Sequence, residues 1–143
     1  GSLAVAAVLA VAAFAPPSET TTARADQWEA FTQARIAAAV GQGQTVVVDV
    51  TADWCITCQV NKVRVLESKA IESLLEDEAL TALRADWTRP DASIAAYLAS
   101  HGRYGIPFNV VYGPAAPDGI LLPELLTLEA VRSAVEEAAG RRS

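Results

Sequence analysis

Cys55 and Cys58 are the only two cysteines in the chain, and Ile56 and Thr57 separate them. A thiol becomes a strong nucleophile only as the thiolate, which can attack a disulfide or hold a soft metal. At this spacing Cys58 lies one helical turn beyond Cys55, close enough to close a disulfide with it. A Cys-x-x-Cys pair of this kind is a redox site more often than anything else. The competing readings are a buried inert pair and half of a zinc site. Zinc would need two more ligands, and His101 is the only histidine.

The residues on either side decide where these sulfurs sit. Thr45 to Val50 is a nearly continuous, β-branched apolar run, the pattern of a central strand buried on both faces. A short loop follows, and then a stretch from Cys55 to about Leu66 that can be helical. Strand, loop, helix places Cys55 at a helix N-terminus, where unpaired N–H groups and the helix dipole favour a thiolate.

The rest of the chain must build a sheet around that strand. Gln27 to Phe31 reads as a short first strand with Trp28 and Phe31 as anchors. Thr32 caps a helix over Gln33 to Val40 that Gly41-Gln42-Gly43 ends. Lys69 to Glu76 is helical, with Ile71, Leu74 and Leu75 on one face. Ala79 to Ala85 is the next strand, and Asp86 to Pro90 the loop after it. Asp91 caps a helix through Ser100 whose inner face carries Ile94, Tyr97 and Leu98. A loop from His101 to Gly105 and the pair Ile106-Pro107 lead into a strand from Phe108 to Tyr112. Gly113 to Gly119 reads as a turn, Ile120 to Leu122 as a short strand, and Leu128 to Ala139 as a closing helix capped by Thr127. Strands alternating with helices, followed by a hairpin and a last helix, make an α/β fold with the thioredoxin layout.

The 143 residues suit one domain, and an apolar fraction of 52% is enough for a core. A formal charge of -6 argues against nucleic acid, because no basic stripe is available for phosphates. Two cysteines three apart cannot staple distant segments. The chain has no methionine and starts Gly1-Ser2, which reads as a sequence that begins partway through a longer protein. Leu3 to Ala15 is an unbroken apolar run, shorter than the roughly 20 residues that span a bilayer. It reads as the end of a transmembrane helix, a signal-peptide core or an alanine-rich buried helix. Pro16 to Thr22 reads as a linker. The expected division is therefore residues 1–25 as apolar segment and linker, and 26–143 as the α/β domain.

Four blocks carry a family resemblance: Val48 to Cys58, with Thr-Ala-Asp-Trp-Cys inside it; Ala85-Asp86-Trp87-Thr88; Gly105-Ile106-Pro107; and Leu121-Leu122-Pro123-Glu124. The first and third resemble the active-site segment and cis-proline loop of thioredoxin-like proteins. Together, in this order, they resemble the C-terminal periplasmic domain of the thiol:disulfide interchange protein DsbD family, especially its ScsB-type relatives. The resemblance runs from about Trp28 to the C-terminus. It implies a thioredoxin-like fold, a central mixed β-sheet flanked by helices, with the dithiol at a helix N-terminus.

The resemblance also implies roles. Cys55 is the exposed attacking thiolate and Cys58 the buried resolving thiol. Asp49 matches an acid that lies buried behind the dithiol in thioredoxin-like proteins, where burial raises a carboxyl pKa and suits it to exchange the resolving proton. Trp54 contributes to a flat apolar contact surface. Pro107 is the cis proline, so that the Ile106 backbone can pair with a partner's extended segment. Asp53 reads as a solvated charge, His101 as a loop residue, and Trp87 and Tyr104 as packing residues. Three positions depart from family patterns. Ile56-Thr57 replaces the dipeptides that guide potential, Lys62 stands where some relatives carry a second acid, and Phe108 is expected to make the groove more apolar.

The function implied is an electron relay. The domain accepts electrons from its own transmembrane domain and passes them to an N-terminal periplasmic domain or to periplasmic thiol oxidoreductases, on the periplasmic side of the bacterial inner membrane. A helix before residue 26 would hold it to the membrane. No cofactor and no metal is expected. The alternatives are a free-standing oxidant or isomerase of the same fold, and a non-catalytic metal-binding or adaptor module.

Overall fold

The computed structural model describes residues 27–141. The apolar run and linker read from the sequence lie outside them. Five strands form one sheet in the order β1-β3-β2-β4-β5. The central strand β2 (Thr45–Thr51) is buried at all seven positions. It runs parallel to β3 (Leu80–Asp86) and antiparallel to β4 (Phe108–Gly113). Outside them lie β1 (Trp28–Ala30), parallel to β3, and β5 (Ala116–Leu121), antiparallel to β4. The sheet is therefore mixed.

The period-two alternation of β2 feeds two cores. Val46, Val48 and Val50 pack with Leu83, Phe108 and Val110 against α1 (Gln33–Gly41) and α4 (Ala92–Ser100). In this layer the hydroxyls of Tyr97 and Tyr112 meet at 2.5 Å, and His101 Nε2 lies 3.2 Å from the second. Burial pushes both phenols up, and each bears on the other through that contact. Val47 and Val111 face the other way, against α3 (Lys69–Leu75), α5 (Leu128–Ala139) and the segment around Val65 and Leu66. Asp49 and Thr51 share the face of Val47 by alternation. Thr32, Asp91 and Thr127 cap α1, α4 and α5 with their side-chain oxygens, as the sequence predicts, and Ser68 caps α3.

Two differences from the sequence reading go beyond a one-residue shift at an element's end. The helix expected over Cys55 to Leu66 is α2 (Ile56–Asn61) followed by a π-helical turn, Lys62–Leu66. Asn61 explains the break. Its buried side chain donates to the Glu124 carbonyl at 2.7 Å and accepts from the Leu126 N–H at 2.9 Å, which ties the helix to the segment before α5. The wider turn then places both Val65 and Leu66 in the core while Val63 stays exposed.

The turn read over Gly113 to Gly119 is the second difference. Only Pro114 and Ala115 separate β4 from β5, so strand pairing resumes at Ala116. An edge strand has no partner on one side and can hold Pro117. Gly113 is required here because a Cβ would stand 2.3 Å from the carbonyl oxygen of Ala138.

Candidate active site

Cys55 is the cap of α2, at the end of the loop that leaves β2. Its N–H donates to the Ala52 carbonyl at 3.2 Å, and its Sγ accepts the N–H of Cys58 at 3.2 Å. Gln59 Nε2 reaches the same Ala52 carbonyl at 2.9 Å and closes the loop against the helix. A sulfur that receives a helix-start N–H is where negative charge is stabilised. Cys55 and Cys58 are joined in a disulfide, with 5.2 Å between their Cα atoms.

The sequence reading made Cys55 exposed, and the structure corrects this. Cys55 is 6% exposed and Cys58 2%. Ala52 and Ile106 pack against the pair. The Ile106-Pro107 peptide is cis, and the packing of Ile106 on the pair sets the loop that the resemblance singled out beside the dithiol.

Trp54 is 60% exposed. Three hydrogen bonds set its loop against the one after β3. The Trp87 N–H donates to the Thr51 carbonyl at 2.7 Å, the Asp53 N–H to Thr88 Oγ1 at 3.0 Å, and Trp54 Nε1 to the Trp87 carbonyl at 3.3 Å. Between the two loops and the start of α4 lies a groove of about 720 Å³, lined by Trp54, Trp87, Thr88, Pro90, Ala92 and Ala95. Asp91 stands at its edge. The side chain and N–H of Thr88 hold the Asp86 carboxyl below its ordinary value, helped by the charges of Lys62 and Arg84. Ser93 and the α4 N–H groups do the same for Asp91. Trp87, read as a packing residue, is thus part of the groove. Phe108, expected to make the groove at Pro107 more apolar, is instead buried in the core beside Tyr97. Asp53 is exposed, as read from the sequence.

Asp49 is 3% exposed and has two partners that the sequence did not reveal. Arg84 Nε lies 3.1 Å from Oδ2, and Asn109 Nδ2 donates to Oδ1 at 2.8 Å. The register pairs Asp49 with both residues directly across the sheet. The Arg84 guanidinium lies 4.2 Å from the centre of the Trp28 ring, a cation–π contact that fixes it from β1. The cue for this row was the lone charge of β2, Asp49, and an arginine set between the apolar Leu83 and Ala85 of β3. Among the described residues, no group of three or more His, Cys, Asp or Glu is placed to hold a metal ion, and no helix is long and apolar enough to cross a membrane.

The arrangement is a dithiol–disulfide site with an apolar groove beside Trp54 and a buried aspartate in the central strand. The comparisons with known proteins agree with this fold. The C-terminal domain of DsbD from Neisseria meningitidis is similar in its oxidised form at 24% identity and TM-score 0.57, covering 78% of this chain and 98% of that domain. Its reduced form gives 22%, 0.55, 75% and 96%. A thioredoxin from Thermus thermophilus gives 18% identity and TM-score 0.57 over 81% of this chain and 94% of its own. At these identities the likeness is one of fold. No curated protein sequence matches the chain. The thioredoxin-like family matches residues 27–114, well over half of the sequence. With its Cys55–Cys58 pair at the start of a helix, the chain belongs to the thioredoxin-like family and is a disulfide oxidoreductase of that fold.

Proposed function

We propose that this domain is an electron relay: it accepts electrons from a membrane domain and reduces periplasmic disulfides by dithiol–disulfide exchange. The observation that carries the reading is Cys55 capping α2, with the Cys58 N–H on its sulfur and the Ile106-Pro107 loop packed beside it. The four sequence blocks that resemble DsbD-type domains support the relay reading.

In the reduced state the Cys55 thiolate attacks one sulfur of the partner's disulfide. That S–S bond breaks, and the partner's first thiolate leaves and takes up a proton. The Cys58 thiol then gives its proton to Asp49, and its thiolate attacks Cys55 Sγ. The mixed disulfide breaks, the second partner thiol is released, and two electrons have passed to the partner. A dithiol in the membrane domain restores the pair by the reverse exchange. The Trp54–Trp87 groove receives the segment that flanks the partner's cystine, and the exposed backbone near Ile106 pairs with it.

The test is a trapping experiment in intact bacteria with the full-length protein. Cys58→Ala stops the exchange at the mixed disulfide. Adducts with periplasmic thiol oxidoreductases, or with another domain of the same protein, are the expected result. Adducts confined to cytoplasmic proteins would overturn the reading.

A further inference from the structure

Asn109 lies two residues beyond Pro107 and is 3% exposed. On its side of β4 the next residue is Val111, and a buried amide costs free energy unless it is bonded. Its Nδ2 spends a donor on Asp49 Oδ1 at 2.8 Å, while Arg84 Nε serves Oδ2 at 3.1 Å. The strand register makes Arg84, Asp49 and Asn109 one row across β3, β2 and β4. Both oxygens of Asp49 therefore accept, one from each side.

By alternation the row shares the face of Val47, which the π-turn after α2 covers. Val65 and Leu66, just after that helix, pack on Val47 of the same face. By alternation Asp86 of β3 shares this face with Arg84, and the charges of Lys62 and Arg84 bear on it, while Cys58 of α2 is held in the disulfide. The buried side of α5 offers only Val131, Ala134, Val135 and Ala138. Asn109 is thus the one uncharged donor in the row, and it belongs to the strand that follows the cis proline.

We propose that Asn109 is a positioning residue for the resolving step. With Arg84 it holds both oxygens of the Asp49 carboxyl group in place, so that Asp49 can take the Cys58 proton when the mixed disulfide breaks. The inference rests on the exchange reading above. No further reactant is needed: the proton moves from Cys58 Sγ to Asp49, and the Cys58 thiolate displaces the partner's sulfur from Cys55.

The test follows the reduced protein after mixing with oxidised glutathione, with acid quenching and mass spectrometry to separate the Cys55–glutathione adduct from the closed Cys55–Cys58 pair. In Asn109→Leu, adduct formation keeps its wild-type rate. Adduct decay slows about tenfold near neutral pH, the size of one lost hydrogen bond to a charged group. The acid limb of the decay rate moves to higher pH. In an Asp49→Asn background, the same substitution changes neither rate nor profile. Asn109→Ala, which removes the donor without adding bulk, is measured alongside in case the leucine variant does not fold. Wild-type decay and pH profile in the Asn109 variants would overturn the inference, and so would equal slowing with Asn at position 49. If the wild type forms no adduct at all, the exchange reading itself fails. If the wild type turns over and Asn109 proves neutral, only this inference does.

Discussion

Trp54 Nε1 donates to the carbonyl of Trp87 at 3.3 Å, which holds the two indole rings 6.4 Å apart on one wall of the groove beside the dithiol. The exposed indole next to the nucleophile is thereby fixed by the loop after β3. In the exchange proposed above, a partner would meet a preformed surface and lose less entropy on binding it.

Loosening that surface should separate protein substrates from small ones. Thr88 Oγ1 accepts the Asp53 N–H and touches Asp86 Oδ1, so Thr88→Val cuts both ties. Stability should fall by about 1–2 kcal/mol. The rate with a protein disulfide should fall several-fold while the rate with oxidised glutathione holds. Equal losses with both substrates would show that the groove does not contact the partner.

Arg84 neutralises a carboxylate that is almost fully buried. Arg84→Met leaves Asp49 without its charge partner and removes the guanidinium from the Trp28 ring. Breaking one side of a buried pair costs about 3–5 kcal/mol. Urea unfolding should show a loss of that order, and Asp49→Asn in the same chain should recover a large part of it. A loss unchanged by the second substitution would mean that the ring contact, not the ion pair, carries the energy.

Acid should weaken the loop after β3 and the start of α4. Asp86 and Asp91 are both held below the ordinary aspartate value of 3.8 by hydrogen bonds to Thr88 and to Ser93 and Ile94. The unfolded chain therefore binds their protons at higher pH than the folded chain does. Their stabilisation is complete above about 3.8 and is lost as pH falls through the lower folded values. Urea midpoints measured from pH 6 to pH 2 should drop in that window, with a shallower drop in Asp86→Asn. A slope identical to wild type in that variant would remove Asp86 from the explanation.

Base should act on the other core. Burial raises the phenols of Tyr97 and Tyr112 above the ordinary value of 10.0, so the folded chain keeps protons that the unfolded chain gives up. Their contribution is complete below pH 10 and is lost as pH rises beyond it. The phenolate absorbance of these two residues, identified by Tyr97→Phe and Tyr112→Phe, should appear only together with the loss of far-ultraviolet circular dichroism. Ionisation in the folded protein would contradict the buried placement.

Much of this was legible because it depends on local chemistry. The run from Val46 to Val50 could only be a buried strand, Asp91 could only be a cap, and the helix faces of Ile94, Tyr97 and Leu98 follow from spacing alone. What stayed hidden depends on contacts distant in sequence. The π-turn follows from Asn61 reaching residues 124 and 126, and the short hairpin from α5 pressing on Gly113. The same holds at the site. Cys55, Cys58 and Pro107 stand in recognisable strings, whereas Trp87, Arg84 and Asn109 acquire meaning only once strand register places them beside Trp54 and Asp49.

The most direct measurement is the redox equilibrium of Cys55–Cys58 against glutathione, read by thiol trapping, with Cys58→Ala as the control that cannot close the pair. An electron donor to periplasmic disulfides should give a potential between about -270 and -200 mV, the range from thioredoxin to glutaredoxins. A value near about -120 mV, that of a strong oxidant, or a pair that never closes, would contradict the relay.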